Sequence, residues 1–67
     1  MKDMLGKELK QGQRIVYPVR RRGKIYLRVA TVHSAGSELT CYRDGQSRML
    51  VLKFPGRCAI VEDVDEN

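Results

Sequence analysis

Residues 17–32 read YPVRRRGKIYLRVATV, in which two alternating apolar runs flank a cluster of three arginines, a glycine and a lysine. Alternation with a period of two is the pattern of half-buried β-strands, and a glycine between two such runs indicates a turn. The stretch therefore predicts a β-hairpin that carries a cluster of cations at its tip.

Outward from this hairpin, further short apolar runs alternate with turn signals, and no long stretch has a helical period. Asp44-Gly45 is a strong hairpin signal, Pro55-Gly56 indicates another turn, residues 33–38 read as a loop, and only Lys2–Leu9 could form a helical turn. The pattern predicts an all-β domain with little or no helix. Its predicted strands are Arg14–Val19, Lys24–Val32, Leu39–Arg43, Ser47–Phe54 and Cys58–Val61.

The alternation also predicts which side chains are buried. On the second strand we place Ile25, Leu27 and Val29 on one face, with Tyr26 and Arg28 on the other. Met49–Leu52 is apolar on both faces, so that its orientation stays open and it could also support a dimer. The predicted core consists of Ile15, Tyr17, Leu27, Val29, Val32, Leu39, Cys41, Leu50, Leu52 and Ile60.

With 67 residues the chain makes one small domain, for which we expect flexible ends at residues 1–8 and 63–67. The formal net charge is +5, but four of the eight carboxylates lie in the last six residues. Residues 1–61 therefore carry thirteen cations against four carboxylates, a net charge of +9. A field of this sign favours polyanions, with nucleic acid first and acidic protein surfaces second.

The order of these pieces resembles the five-stranded barrels of the Src-homology-3-like class, including the KOW and Tudor domains. The likeness is carried by residues 9–17 (LKQGQRIVY), by residues 27–32, by the Asp44-Gly45 hairpin and by residues 58–62 (CAIVE). The resemblance implies a single closed antiparallel barrel that binds nucleic acid or peptides through loops and one sheet face. Small basic barrels of this kind are often encoded by phages or mobile elements.

The cations and tyrosines of the hairpins are the candidate binding residues. Guanidinium groups match phosphate oxygens, and tyrosine rings can stack on unpaired bases. The alternatives are a solvated turn kept soluble by its charge, and tyrosines that merely cover the surface of the barrel. The predicted nucleic-acid-binding set is Arg20, Arg21, Arg22, Lys24, Tyr26, Arg28, Tyr42, Arg43 and Arg48.

Other chemistry finds little support. Cys41, Cys58 and His33 lack the spacing of a zinc site, so the two cysteines are better read as reduced core residues, and we expect no metal and no cofactor. So small a barrel hardly encloses a catalytic pocket, and we expect a non-enzymatic protein. The chain shows neither a signal peptide nor an apolar run that could span a membrane, and a cytoplasmic location is expected.

The partner is therefore predicted to be DNA or RNA, contacted through its backbone by a monomer or weak homodimer. The alternative is a protein-interaction module that docks on an acidic protein and modulates or inhibits it. The acidic end, residues 62–66, could also fold back on the arginine cluster and mask it, although a solubilising tail is the simpler interpretation.

Overall fold

The alternating runs form an all-β fold, as the sequence predicts. A computed structural model describes residues 1–43, 45 and 48–64. A single-turn 3-10 helix, Pro55–Arg57, precedes the last strand. The strands are β1 (Arg14–Arg21), β2 (Lys24–Ala35), β3 (Leu39–Arg43), β4 (Met49–Leu52) and β5 (Ala59–Glu62).

The five strands make one antiparallel sheet in the order β4-β3-β2-β1-β5, so that the last strand returns to pair with the first. The predicted closed barrel is wrong, because within the described residues β4 and β5 remain the two edges of the sheet and do not pair. Each edge strand has only four residues, and the 3-10 turn lies between them in the sequence. The fold is a small, barrel-like but open β-sheet.

The hairpin of β1 and β2 has the predicted position and a two-residue turn. Arg21 pairs with Lys24, which leaves Arg22 and Gly23 as the turn, with φ angles of 52° and 77°. Positive φ at both positions is what a type I′ turn requires, and this turn matches the twist of the flanking strands. The strands therefore continue without distortion to the tip.

The second strand is longer than predicted. It continues beyond Val32 to Ala35, which pairs with Leu39, so that the loop before β3 is reduced to residues 36–38. An irregularity in the pairing with β3 between Val32 and Ser34 absorbs one residue. For the next turn, Asp44 lies outside the described residues, as does Ser47 of the predicted fourth strand, while Gly45 has a φ of 76°.

The register of β1 and β2 decides which residues of β2 are buried. Ile15 pairs with Ala30 and Tyr17 with Arg28, and directly paired residues share one face of a sheet. The even-numbered residues of β2 therefore lie on the core side, and the prediction that Leu27 is in the core is wrong. Leu27 is 71% exposed and Ile25 is 70% exposed, both on the outer side.

The core lies between the sheet and the segments before β1 and around the 3-10 turn. Ile15, Tyr17, Val32, Leu39 and Cys41 are buried as predicted, while Val29 is half-buried. Leu50, Leu52 and Ile60 pack against this core, as do Met1, Val19 and Ala35. Buried apolar residues that the sequence did not indicate are Leu9 and Ala30, whereas Cys58 is buried as predicted.

The first residues are held to the sheet by one buried carboxylate. Asp3 is only 5% exposed, and its Oδ1 accepts hydrogen bonds of 2.9 Å from the amides of Leu5 and Lys7. Its Oδ2 accepts a bond of 3.0 Å from the amide of Ile60 in β5. Residues 2–8 thus form a loop, closed by a bridge between Lys2 and Glu8, in place of the possible helical turn.

Gln13 is a second buried polar anchor. Its Oε1 accepts a bond of 2.7 Å from the amide of Lys10, and its Nε2 donates to the Glu8 carbonyl and, at 2.7 Å, to Asp63. Among the described residues, no buried polar side-chain atom lacks a partner. The segment before β1 is therefore held by hydrogen bonds to residues near the other end of the chain, Ile60 and Asp63, and not by a strand of its own.

The register predicts a strong contrast between two leucines. We expect Leu39→Ala, at a fully buried position, to lower the free energy of unfolding by about 2–5 kcal/mol. We expect Leu27→Ala to change it by less than about 0.5 kcal/mol, as exposed positions usually do. Urea denaturation of both variants measures the difference, and equal losses would contradict the register.

Because of Asp3, we predict that the fold loses stability in acid. Burial raises the pKa of its carboxyl, but the amides of Ile60, Lys7 and Leu5 and the Lys7 charge outweigh this and lower the pKa below 3.8. The stabilisation is complete above the unfolded-state pKa and is lost as the pH falls through the folded-state pKa. We expect Asp3→Asn to cost about 1–3 kcal/mol at pH 7.

The difference in the free energy of unfolding between Asp3→Asn and the natural chain should narrow as the pH falls below about 4. The reason is that only the natural chain then protonates at this position. Denaturant unfolding at pH 7 and at lower pH measures the gap. Glu38→Gln removes a carboxylate from the exposed loop after β2 and serves as the control. A gap that does not change with pH would refute the assignment.

Candidate functional site

The register that buries Ala30 also gathers cations on the core side of the sheet, beyond the core itself. Arg21 and Lys24 face each other at the end of the hairpin, and Arg28 follows two positions after Tyr26. Arg43 pairs with Ala30 from the neighbouring strand. We call these four cations, Arg21, Lys24, Arg28 and Arg43, the basic face.

Arg48 lies beside the end of the pairing between β3 and β4. Tyr42 of β3 pairs with Met49, the first residue of β4, and this is the pair nearest to Arg48 in the sequence. Arg48 is exposed and directly precedes β4. Three neighbouring strands thus contribute cations to one side of the sheet.

Tyr17 lies at the boundary between the basic face and the core. Burial raises the pKa of its phenol, while the positive charges of Arg43 and Arg28 act in the opposite direction. Both guanidinium groups are therefore close enough to Tyr17 to act on it electrostatically. Only 7% of Tyr17 is exposed, so that its ring belongs to the core.

The tip of the hairpin forms an open depression of about 370 Å³, lined by Arg21, Arg22, Lys24 and Tyr26. Tyr26 is 47% exposed and pairs with Val19 on the core side of the sheet. Its ring therefore borders the cations, as stacking beside a phosphate contact requires.

Two of the predicted binding residues lie elsewhere. Arg20 pairs with Ile25 on the outer side of the hairpin. Tyr42 pairs with Thr31, also on the outer side, where its ring makes an edge contact with His33 at a centroid distance of 5.2 Å. Tyr26 and Tyr42 therefore lie on opposite sides of the sheet.

The cations of the basic face have no carboxylate partner among the described residues. The ion pairs between described residues join the Met1 amino group to Glu8 at 3.0 Å and Arg14 to Glu62 at 3.5 Å. Asp44 lies outside the described residues. Within the part of the chain that the structure describes, the positive charge of the basic face is therefore uncompensated.

The described part of the acidic end lies far from the hairpin tip. Glu62 pairs with Arg14, at the first residue of β1, and Asp63 is bonded to Gln13. The tip follows the last residue of β1, about 23 Å away at 3.3 Å per residue. Glu62 and Asp63 do not mask the arginines of the tip, Arg20, Arg21 and Arg22, while Asp65 and Glu66 lie outside the described residues.

The sequence analysis missed a pair of residues beside the 3-10 turn. The guanidinium carbon of Arg57 lies 4.9 Å from the centroid of the Phe54 ring, and Phe54 is 63% exposed. They border a groove of about 120 Å³ lined by Tyr17, Pro18, Leu52, Lys53, Phe54 and Arg57. An aromatic residue directly before Pro-Gly, with an arginine three positions later, was the available signal.

The cysteines are free and fully buried. Burial, with a smaller contribution from Cys58, raises the pKa of the Cys41 thiol to about 11, and burial also raises that of Cys58. These thiols act as small core hydrophobes, as predicted. Over residues 1–43, 45 and 48–64 there is no cluster of three potential metal ligands, and no helix there is long and apolar enough to cross a bilayer.

No protein-family model matches the chain significantly, and neither does any curated protein or solved structure. The described sheet is compatible with a small barrel-like fold. The resemblance to Src-homology-3-like barrels remains a prediction from the residues and the strand order.

The positive φ of Arg22 in the turn between β1 and β2 leads to a prediction about the melting temperature. Arg22 has a φ of 52°, in a region that costs most residues about 1 kcal/mol and that asparagine tolerates. We expect Arg22→Asn to raise the melting temperature by about 5 °C, since roughly 1 kcal/mol shifts a domain of this size by that much. Arg21→Asn, in an extended strand position, is the matched control and should bring no gain. A melting temperature unchanged in Arg22→Asn would show that the turn is not strained.

Proposed function

We propose that this protein is a small, non-enzymatic nucleic-acid-binding domain that contacts phosphates through the basic face and the Arg22 turn. The observation that carries the proposal is the group of cations from β1, β2 and β3 on one side of the sheet, without a carboxylate partner among the described residues. Like charges held this close repel one another, and a polyanion removes that cost.

Phosphate is the ligand that suits these groups best. A guanidinium group offers parallel donors that match two phosphate oxygens, and neighbouring strands lie about 4.8 Å apart. The cations of adjacent strands can therefore contact successive phosphates of one backbone. Such contacts position a protein without reading the sequence, so that binding is expected to be largely independent of base sequence.

The position of Arg22 supports a functional reading of the tip. The first residue of a type I′ turn is usually asparagine, aspartate or glycine, and an arginine there costs stability. Backbone strain at an exposed cation that has no carboxylate partner among the described residues supports a binding role that offsets the cost. The resemblance to Src-homology-3-like barrels points the same way. We further propose that the domain acts in the reducing cytoplasm, where free thiols are the usual state.

A second candidate function is docking on an acidic protein. The observation that favours it is the outer side of the hairpin, where the exposed Ile25 and Leu27 lie beside Pro18 and Arg20. An apolar patch with a cation at its border suits a protein surface better than a nucleic acid. This candidate uses the opposite side of the sheet from the basic face.

Matched charge removals test the proposal. We expect Arg28→Gln and Arg43→Gln each to weaken binding to a fluorescent oligonucleotide about tenfold, or about 1.4 kcal/mol. Each should also reduce the slope of log affinity against log salt by about 1, as the loss of one phosphate contact does. Fluorescence anisotropy at several salt concentrations measures both quantities.

Arg20→Gln is the control, since it removes the same charge from the outer side of the same hairpin. We expect it to change affinity less than about twofold, in line with a screened distant charge. Equal losses for Arg20→Gln and Arg28→Gln would mean that total charge, and not the basic face, drives binding. A partner that survives nuclease treatment and is lost in Leu27→Ala would favour the second candidate.

A further inference from the structure

The groove beside the 3-10 turn includes an exposed aromatic ring, that of Phe54, which we call the Phe54 platform. Phe54 directly precedes the turn and Arg57 ends it, and residues three apart on a 3-10 turn lie one above the other. The Arg57 amide donates to the Phe54 carbonyl at 3.0 Å, and the Arg57 guanidinium lies over the Phe54 ring. The Phe54 ring is thus in contact with Arg57, while 63% of the residue is exposed.

Cys58 anchors this platform to the core. Its side chain is fully buried, and its Sγ donates a hydrogen bond of 3.0 Å to the Pro55 carbonyl. Its own carbonyl accepts a bond of 2.8 Å from the amide of Met4. The turn is thus fixed from both sides, and a ligand that stacks on Phe54 meets a preorganised surface.

The groove adjoins the basic face through Tyr17. Tyr17 lines the groove and pairs with Arg28, and the charges of Arg28 and Arg43 both act on its phenol. Among the described residues, those that line the groove include the cations Lys53 and Arg57 and no carboxylate. A chain that places one group in the groove can therefore continue along the cations of the basic face.

We propose that this groove binds one unpaired nucleobase, stacked on Phe54, and that the protein therefore prefers single-stranded to double-stranded nucleic acid. This inference rests on the proposed function and adds the form of the ligand. The groove has room for a single planar base at about 120 Å³. In a duplex the base faces are already stacked, so only a single strand can offer one to the ring.

The basic face and the Phe54 platform have different roles in this proposal. The basic face holds phosphates of either form, whereas the Phe54 platform uses a group that only the single strand exposes. Lys53 and Arg57 also line the groove, and their charges favour the phosphates that flank a stacked base. Stacking on an aromatic ring tolerates every base, so that this site adds selectivity for the form of the nucleic acid and not for its sequence.

The experiment compares three probes at one salt concentration: a labelled twelve-nucleotide oligo(dT), a labelled twelve-base-pair duplex and inorganic polyphosphate. We expect Phe54→Ala to weaken binding to oligo(dT) about tenfold, the usual range for loss of one stacked base. Binding to the duplex and to polyphosphate should change less than twofold. Leu27→Ala, which truncates an equally exposed apolar residue on the outer side, should change none of the three.

Phe54→Trp provides a readout that survives poor folding of the alanine variant. The chain has no other tryptophan, so its fluorescence should be quenched by oligo(dT) and not by polyphosphate. Equal losses for oligo(dT) and the duplex in Phe54→Ala, or no quenching in Phe54→Trp, would overturn the inference while leaving the proposed function in place. A natural chain that binds none of the probes would overturn both.

Discussion

The pairing of Tyr17 with Arg28 and of Ile15 with Ala30 is the constraint on which both the core and the candidate site depend. Because side chains alternate along a strand, a slip of one residue would exchange the two sides of β2. It would bring Leu27 into the core and turn Arg28 outward. The small side chain of Ala30 fits opposite Ile15 in the observed register. The same pairing that fills the core therefore also gathers the cations on one side of the sheet.

The open sheet is stabilised in a way that leaves the groove accessible. A closed barrel would pair its edge strands, but here Asp3 and Gln13 fix the first thirteen residues by hydrogen bonds to β5 and to Asp63. Burying the Asp3 carboxylate carries a desolvation cost that three backbone amides offset. The chain covers its core at this edge, while the space between β1 and the 3-10 turn stays open to solvent.

How far the sequence predicts this protein depends on the range of the interaction concerned. The strands and the tight turn at Gly23 follow from alternation and from local backbone preferences, and they were predicted. The side of β2 that faces the core before Val32 was predicted wrongly, because both of its faces carry apolar residues and only the pairing with β1 selects one. Asp3 and Gln13 each have one partner far along the chain, Ile60 at 57 residues and Asp63 at 50 residues. No local pattern marks a polar residue that is destined for the core.

The candidate site shows the same limit at shorter range. Three consecutive arginines cannot share a face of a two-stranded hairpin, since Arg20 turns outward, Arg21 turns to the core side and Arg22 occupies the turn. A run of charge in the sequence therefore overstates the local density of charge on either side. What concentrates the cations is the lateral pairing of strands, which adds Arg28 and Arg43 from positions that the run does not include.

Stability and candidate function lie in different parts of the fold. Residues 20–27 are all exposed, so the end of the hairpin contributes little buried apolar surface. Solvent and salt screen the repulsion among the cations at this position. The buried residues of β1, β2 and β3 lie on the other side of Tyr17. The cations of the tip are remote from this core, whereas Arg28 and Arg43 adjoin it, since Arg28 pairs with Tyr17 and Arg43 with Ala30. Under the proposed function, a counter-charged ligand would offset the repulsion among these cations.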